Sequence, residues 1–256
     1  MFLHRYKFLK NKLIFFIFNV VSVFCMNNQN LEPPIKGAIS FGDISFDIRY
    51  NKDSNRHYIW IHGDEKTAKM AIMNHLKIYP GKGFFINSQD REVNYLDTKI
   101  DPNRIFSRSG SFKTLKKFKP EWAPGTLKPA LDKLDTQREK FLENFFPDST
   151  GLVIAVHNNS RGYNVKDELK FSTKVSLNSK QSSKDFIICT YEGDFEKLAV
   201  GPYNVVLQDK LPSKDNGSLS WAALRNGIRY INVETRLGWR TKQEKMLEFI
   251  IKSLDQ

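Results

Sequence analysis

Four residues with side chains suited to metal chemistry lie at, or just after, the ends of short apolar segments. These residues are His62, Glu65, His157 and Glu234. The segments before them are Tyr58–Ile61, Leu152–Val156 and Tyr230–Val233. Each segment has the length and apolar character of a buried strand. Because ligands of open α/β sheets bind beyond the carboxyl ends of the strands, we expect the four side chains to meet on one rim.

The first pair stands in His62-Gly63-Asp64-Glu65, at a predicted turn from strand to helix. An imidazole and a carboxylate three residues apart in such a turn can reach the same side and bind one metal ion. Gly63 is consistent with a tight turn. A histidine followed three residues later by a glutamate also occurs by chance, so this motif indicates a metal site only together with further ligands.

His157 is the candidate third ligand. A single histidine at the end of a strand is usually a hydrogen-bonded core residue, which is the plain alternative. The presence of His62 and Glu65 on the same rim favours a ligand instead. Two histidines and one glutamate would leave a fourth position open, which is the arrangement of catalytic zinc sites.

Glu234 places a carboxylate at the end of an apolar strand, where burial costs free energy unless the charge is paired or faces a polar cleft. A structural salt bridge to Arg236 or Arg229 is one interpretation. Next to zinc, the same group would act as a general base that deprotonates water and passes the proton to the leaving nitrogen.

A further motif is Asp101-Pro102-Asn103-Arg104, followed by Ile105 and Phe106. The planar, permanently charged guanidinium of Arg104 is suited to a carboxylate, and Asn103 adds a neutral amide donor. The alternative interpretation is an ordinary surface turn.

Taken in order, these motifs resemble the zinc carboxypeptidase superfamily, which also contains aspartoacylase and succinylglutamate desuccinylase. The resemblance extends from Tyr58 to Glu234 and implies a mixed, mostly parallel central sheet flanked by helices. It also implies a function for each candidate residue. Zinc would be bound by His62, Glu65 and His157, Glu234 would be the general acid and base, and Asn103 with Arg104 would bind a substrate carboxylate.

The resemblance leaves three points open. Arg104 or a neighbouring arginine would polarise the scissile carbonyl, and Arg91 is a weaker candidate for binding a second anion. Carboxypeptidases usually place a tyrosine over the substrate, and Tyr203 is available without being aligned to that role. Family deacylases typically continue into a small β-rich domain where this sequence has the helical pattern Arg240–Leu254, which favours the peptidase side.

The elements that must position these residues are visible in the hydrophobic pattern. A hairpin is predicted around Gly42-Asp43, and helices are predicted over 66–78, 127–145 and 246–254. Further strands are predicted over 83–87, 91–96, 186–191 and 204–208. A polar segment from Asn158 to Lys184 predicts a surface insertion near the site. Strands alternating with helices indicate a mixed, largely parallel sheet in one zinc-hydrolase domain, 35–256.

The first 25 residues form a separate segment. His4 and four basic residues precede the apolar stretch Leu13–Phe24, which indicates a signal peptide or a retained N-terminal anchor. The polar residues 26–34 would then be a linker. The protein is therefore predicted to be exported, periplasmic or secreted, with membrane contact only through a retained N-terminal segment. Cleavage would leave Cys189 as the single cysteine, so no intrachain disulfide could form.

The net charge of +12 would fall to about +8 after removal of the first 25 residues. A basic surface is compatible with carboxylate-bearing substrates or anionic envelope polymers, and equally with a solvated lysine-rich surface. The pattern of aromatic and basic residues typical of nucleic-acid-binding modules is missing, so nucleic acid is not an expected partner.

These observations predict an exported zinc hydrolase that cleaves an amide bond next to a free carboxylate. A carboxypeptidase acting on peptides, including cell-wall peptides, is the first interpretation. An N-acyl amino acid deacylase of the aspartoacylase or desuccinylase type is the alternative, with an N-acyl amino acid as substrate. A catalytically inactive binding module that keeps only the fold is the third.

Overall fold

A nine-stranded mixed sheet organises the part of the chain described by the computed structural model, residues 32–159 and 162–255. Its strands are β1 (Ile35–Phe41), β2 (Ile44–Arg49), β3 (Arg56–Trp60), β4 (Lys82–Ile86), β7 (Leu152–Asn159), β8 (Lys174–Ser176), β9 (Phe186–Cys189), β10 (Asn204–Leu207) and β11 (Arg229–Arg236). Their order across the sheet is β1-β2-β4-β3-β7-β11-β9-β10-β8. β5 (Val93–Tyr95) and β6 (Thr98–Ile100) form a separate antiparallel pair.

Parallel pairing is concentrated in the centre of the sheet. β4, β3, β7 and β11 are parallel neighbours. Antiparallel pairs predominate toward both edges, although β9 and β10 are also parallel. All eight residues of β7 are buried, as expected for a parallel strand covered on both faces. The predicted mixed α/β fold is confirmed.

Seven helices flank the sheet within the described residues. They are α1 (Lys66–Ile78), α2 (Arg108–Phe118), α3 (Pro124–Phe145), α4 (Val165–Glu168), α5 (Glu192–Ala199), α6 (Leu219–Arg225) and α7 (Arg240–Leu254). Short 3₁₀ turns cover Pro102–Arg104 and Leu169–Phe171. The predicted helix over 66–78 and the long helix ending at Phe145 are confirmed. The predicted hairpin is confirmed as β1 and β2.

The pleat of β7 separates the two sides of the molecule. Asn158 accepts a hydrogen bond from the backbone of Ala68 in α1 and donates one to Gln243 in α7, so α1 and α7 lie on that face. Its neighbour His157 points to the opposite face because successive strand residues alternate. On that opposite face, Phe145 of α3 packs against Phe84 of β4.

Strand register brings the predicted site residues to one end of the sheet. Glu234 is the register partner of His157 in the parallel pair β11 and β7. β3 pairs with β7 through Ile59 and Ala155, and its chain then continues to His62. The rim predicted from the strand ends is therefore present, although β3 stops at Trp60, two residues before His62.

The polar segment from Asn158 to Lys184 contains more structure than a plain surface insertion. It includes α4, a 3₁₀ turn and β8, which pairs with β10. Asn164 caps α4 through a capping box with Asp167. Val165 is buried in a small cluster with Phe186, Ile188 and Val206. This apolar anchor holds the segment over β9 and β10, beside the rim.

The predicted signal peptide and residues 26–31 of the predicted linker lie outside the described residues. Of the helices in residues 32–159 and 162–255, none combines the length and apolarity needed to cross a membrane.

Candidate metal centre

Two imidazoles and one carboxylate converge at the rim. Nδ1 of His62 lies 2.9 Å from Oε1 of Glu65, and Nδ1 of His157 lies 3.0 Å from Oε2 of the same residue. One ligand atom from each of the three residues lies within 4.8 Å of the others, and all three side chains are buried. The cluster predicted from two separate segments is therefore assembled around Glu65.

The turn between β3 and α1 places His62 and Glu65 side by side. Glu65 is the N-cap residue of α1, yet its side chain makes no capping hydrogen bond. Its carboxylate is directed to the imidazoles, while its backbone carbonyl accepts from Trp60 Nε1 at 2.9 Å. Gly63 packs against the 88–90 loop so closely that an added Cβ would lie 2.4 Å from the Ser88 carbonyl oxygen. The close approach of the two backbones therefore requires glycine at this position.

Asp101 fixes the orientation of His62 from the other side. Its Oδ1 lies 3.0 Å from Nε2 of His62, and the same atom accepts from the backbone of Asn103 at 2.8 Å. Burial alone would lower the pKa of His62, but the carboxylates of Glu65 and Asp101 outweigh it and raise that pKa to about 9. A proton on Nε2 that bonds to Asp101 leaves the lone pair of Nδ1 for a metal ion.

Glu65 is held ionised by its surroundings. Burial opposes this, but His157 and His62 together keep the pKa of Glu65 well below its ordinary value. Arg91 adds a third favourable interaction, with its guanidinium 2.8 Å from Oε1 of Glu65. Arg91 therefore lies directly at the site, whereas the sequence placed it there only as a weak candidate.

A second polar network holds the end of β7. Asn158 receives hydrogen bonds from Thr67 and Ala68 and donates to Thr235 and Gln243. Gln243 in turn donates to the backbone carbonyl of His157 at 2.8 Å. This buried network locks His157 on the metal side of the strand. Gln243 lies in α7, far from His157 in the chain, so the order of residues did not indicate that it would support His157.

The donor set fits a zinc ion. Two imidazole nitrogens and one carboxylate oxygen are ligands that zinc prefers, and three protein ligands leave a position open for substrate or water. Asp101 behind His62 is the outer carboxylate that commonly orients a metal-binding histidine. His157 is hydrogen-bonded to Glu65 through Nδ1, but its Nε2 is buried without a hydrogen-bond partner among the described residues.

Glu234 lies in the wall of the same cavity as the three candidate ligands. Burial raises its pKa to about 7, and its described hydrogen bond comes from Asn232 Nδ2 at 3.0 Å. Neither arginine considered for a structural salt bridge serves it: Arg236 pairs with Asp185 and Arg229 pairs with Asp194. A buried carboxylate that has a near-neutral pKa and faces a cavity can exchange a proton at ordinary pH.

The Asp101–Arg104 motif is not a surface turn. Asp101 is largely buried, Pro102 is buried, and the 3₁₀ turn over Pro102–Arg104 carries Asn103 and Arg104 to the cavity. Asn103 Oδ1 accepts from the backbone of Leu219 at 3.0 Å, which leaves its amide nitrogen as a donor. Arg104 donates to the backbone carbonyl of Asn103 at 2.6 Å and retains further N–H groups.

The cavity that joins these groups has a volume of about 560 Å³. Its wall also includes residues that no sequence pattern indicated, among them Tyr163, Glu168, Trp221 and Asn232. Tyr203 is not part of this wall. It stacks edge to face on Phe249 of α7 instead. Two tyrosines line the cavity: Tyr163, from the segment between β7 and β8, and Tyr230 of β11. Sequence spacing indicated neither of them.

Comparison with known proteins yields fold-level likenesses. No protein-family model matches the chain, and no curated protein does. Two crystal structures resemble it: a "putative metallopeptidase" from Shewanella denitrificans OS217 and another from Shewanella amazonensis SB2B. For the first, the TM-score is 0.44 and the sequence identity is 11%. The match covers 89% of this chain and 84% of the chain in that structure. For the second, the TM-score is 0.41 and the sequence identity is 10%. The match covers 92% of this chain and 90% of the chain in that structure.

Proposed function

We propose that this protein is an exported, zinc-dependent hydrolase that cleaves an amide bond next to a free carboxylate, as a carboxypeptidase acting on peptides does. The observation that carries the proposal is the placement of Glu234. This buried carboxylate has no cationic partner among the described residues and shares a cavity with the cluster of His62, Glu65 and His157.

The metal would be held by His62, Glu65 and His157, and zinc bound there supplies Lewis acidity. Glu234 accepts the proton of the attacking water and returns it to the amine nitrogen as the C–N bond breaks. A near-neutral pKa suits both directions of that transfer. Burial of the site excludes bulk water, which strengthens each electrostatic interaction with the reacting groups.

Substrate binding would fall to other groups in the wall of the same cavity. Asn103 and Arg104 offer an amide donor and a guanidinium for the free carboxylate of the substrate. Arg91 is the guanidinium nearest the cluster, since it already bonds to Glu65. Arg91 would donate to the oxyanion that develops on the scissile carbonyl, instead of binding a second anion as expected from the sequence.

Deacylation of an N-acyl amino acid remains the second candidate, because the same clamp would bind the carboxylate of an acylated amino acid. The cavity has ample room for a dipeptide, which favours the peptidase. Trimming of cell-wall peptides is the setting that predicted export would provide. An inactive binding module would keep the cavity without turnover.

The decisive experiment combines metal analysis with hydrolysis. The purified protein should contain one zinc per chain, and Glu65→Ala should lose it, with Glu92→Ala as a control in the same cavity wall. Zinc-loaded protein should release the C-terminal residue of free-acid peptides and leave amide-capped peptides intact. Absence of stoichiometric metal from the wild type, or equal cleavage of capped peptides, would contradict the proposal.

A further inference from the structure

The wall of the cavity next to Glu234 contains hydrogen-bond acceptors that the proposed reaction does not use. Glu168, at the end of α4, lines this wall. Its Oε1 accepts from Tyr163 Oη at 2.6 Å, and its Oε2 accepts from Gln208 Nε2 at 2.6 Å. Both partners are neutral donors, so the carboxylate is held in place without being neutralised by them. Each oxygen keeps acceptor capacity for a ligand.

Asn232 supplies a second unused acceptor. It is 8% exposed, and its Oδ1 is buried without a partner among the described residues. Its Nδ2 donates to Glu234, so the amide oxygen must be the free end when Glu234 is ionised. An unpartnered acceptor that is nine-tenths buried in a cavity wall costs free energy unless a ligand donor satisfies it.

The cations of the cavity come from different elements. Arg91 follows β4, and Lys113 and Lys117 lie one turn apart on α2. Glu168 and Asn232 come from the segment after β7 and from β11. Lys117 lies 4.0 Å from Glu92, the chain neighbour of Arg91, so these cations share one part of the wall, the cationic side. Glu168 and Asn232 define the acceptor side. A ligand that satisfies both sides carries a carboxylate and, several bonds away, a cationic donor.

A chain of contacts joins the carboxylate clamp to the acceptor side. Asn103 accepts from the backbone of Leu219 at the start of α6, and Trp221 follows on the same helix. Trp221 packs edge to face against Phe171, with their ring centroids 6.2 Å apart. Phe171 lies three residues after Glu168 in the chain. Both aromatic rings line the cavity. Lys170 Nζ already lies 4.9 Å from the centroid of the Phe171 ring, so Trp221 offers the aromatic surface for a ligand cation.

We propose that Glu168, Asn232 and the ring of Trp221 form a subsite for an ammonium group on the residue that the enzyme releases. The preferred substrate is therefore a peptide whose C-terminal residue carries an aliphatic amine, such as lysine. This inference rests on the proposed function and narrows its substrate class. The positive head would bond to Glu168, and the methylene stem would lie against the ring of Trp221.

The test uses the full-length, zinc-loaded protein and two peptides of equal length, N-benzoylglycyl-lysine and N-benzoylglycyl-norleucine. A charge-assisted hydrogen bond predicts that kcat/KM is about 10- to 100-fold higher for the lysine peptide, mainly through KM. Glu168→Gln should remove most of that preference and leave cleavage of the norleucine peptide unchanged. Glu92→Gln, the same change on the cationic side, should keep the preference.

Binding of free lysine and free norleucine, measured by calorimetry on the same proteins, separates this inference from the proposed function. Tighter binding of lysine that is lost in Glu168→Gln would support the subsite even if no peptide were cleaved. Cleavage with equal kcat/KM for the two peptides would overturn the subsite and leave the hydrolase intact. If Glu168→Gln fails to fold, the ratio of kcat/KM for the lysine and norleucine peptides in the wild type decides whether the subsite exists.

Discussion

Oδ1 of Asp101 lies 3.0 Å from Nε2 of His62, on the side of the imidazole opposite Glu65. The contact joins the Asp101–Arg104 motif to the His62–Glu65 motif, which are far apart in sequence. In the neutral form of His62, this contact would keep the remaining proton on Nε2. The Asp101–Arg104 turn and the His62–Glu65 turn are therefore held together by this contact.

The first prediction concerns this contact. Asp101→Asn should weaken zinc binding by about 10- to 100-fold, because an amide stabilises the metal-binding tautomer of His62 less well than a carboxylate does. Competition with a chromogenic chelator would measure the dissociation constant. Asp97→Asn is the matched control, since Asp97 is exposed and pairs with Lys119. An unchanged zinc affinity in Asp101→Asn would show that the contact has no part in metal binding.

The second prediction concerns proton transfer. Glu234→Gln should retain one zinc per chain and lose at least about 100-fold in kcat, because the general base is removed while the metal ligands stay intact. Metal content and peptide hydrolysis would be measured on the same preparation. Activity close to that of the wild type would remove Glu234 from the mechanism.

The third prediction concerns stability against pH in the metal-free protein. The pKa of Glu234 rises from an ordinary 4.5 to about 7 on folding, so the folded state favours the protonated form. The resulting destabilisation is fully present above about pH 7 and disappears as the pH falls to about 4.5. Glu234→Gln should therefore stabilise the metal-free protein by up to about 3 kcal/mol at pH 8 and by little at pH 4.5.

Urea unfolding at the two pH values would measure this difference. Glu92→Gln, which changes a carboxylate in the same cavity wall, is the matched control. A Glu234→Gln protein that is equally stable to the wild type at pH 8 would mean that burial does not disfavour the ionised carboxylate.

The fourth prediction concerns the carboxylate clamp. Arg104→Lys should raise KM for free-acid peptides by about tenfold or more and change kcat less, because lysine keeps the charge and loses the planar fork. Lys113→Arg is a control on the cationic side of the cavity. Steady-state kinetics with free-acid and amide-capped peptides would test it, and an unchanged KM in Arg104→Lys would place the clamp elsewhere.

The sequence predicted the strands and helices that carry the site because their periodicity is local. α1 spans the residues that were predicted, since apolar spacing and Pro80 define both its face and its end. The convergence of His62, Glu65 and His157 followed from one general property of parallel sheets, the meeting of strand ends.

The contacts that tune those residues depended on tertiary structure. Nothing in the order of residues indicated that Asp101 would bond to His62, that Gln243 would hold His157, or that Tyr163 rather than Tyr203 would reach the cavity. These contacts arise from packing between segments distant in the chain. The segment after β7 looked like a polar insertion because its few apolar anchors, such as Val165, are isolated in the sequence.

Residue types and their positions at strand ends thus determined, by themselves, which side chains could bind a metal ion and transfer a proton. Only the folded chain decided which nitrogen of each imidazole faces the carboxylate, which arginine approaches it and which acceptors remain unpaired. The physical reason is that strand and helix formation follows from local periodicity, whereas hydrogen bonding and burial are set by whichever distant segment the core brings into contact.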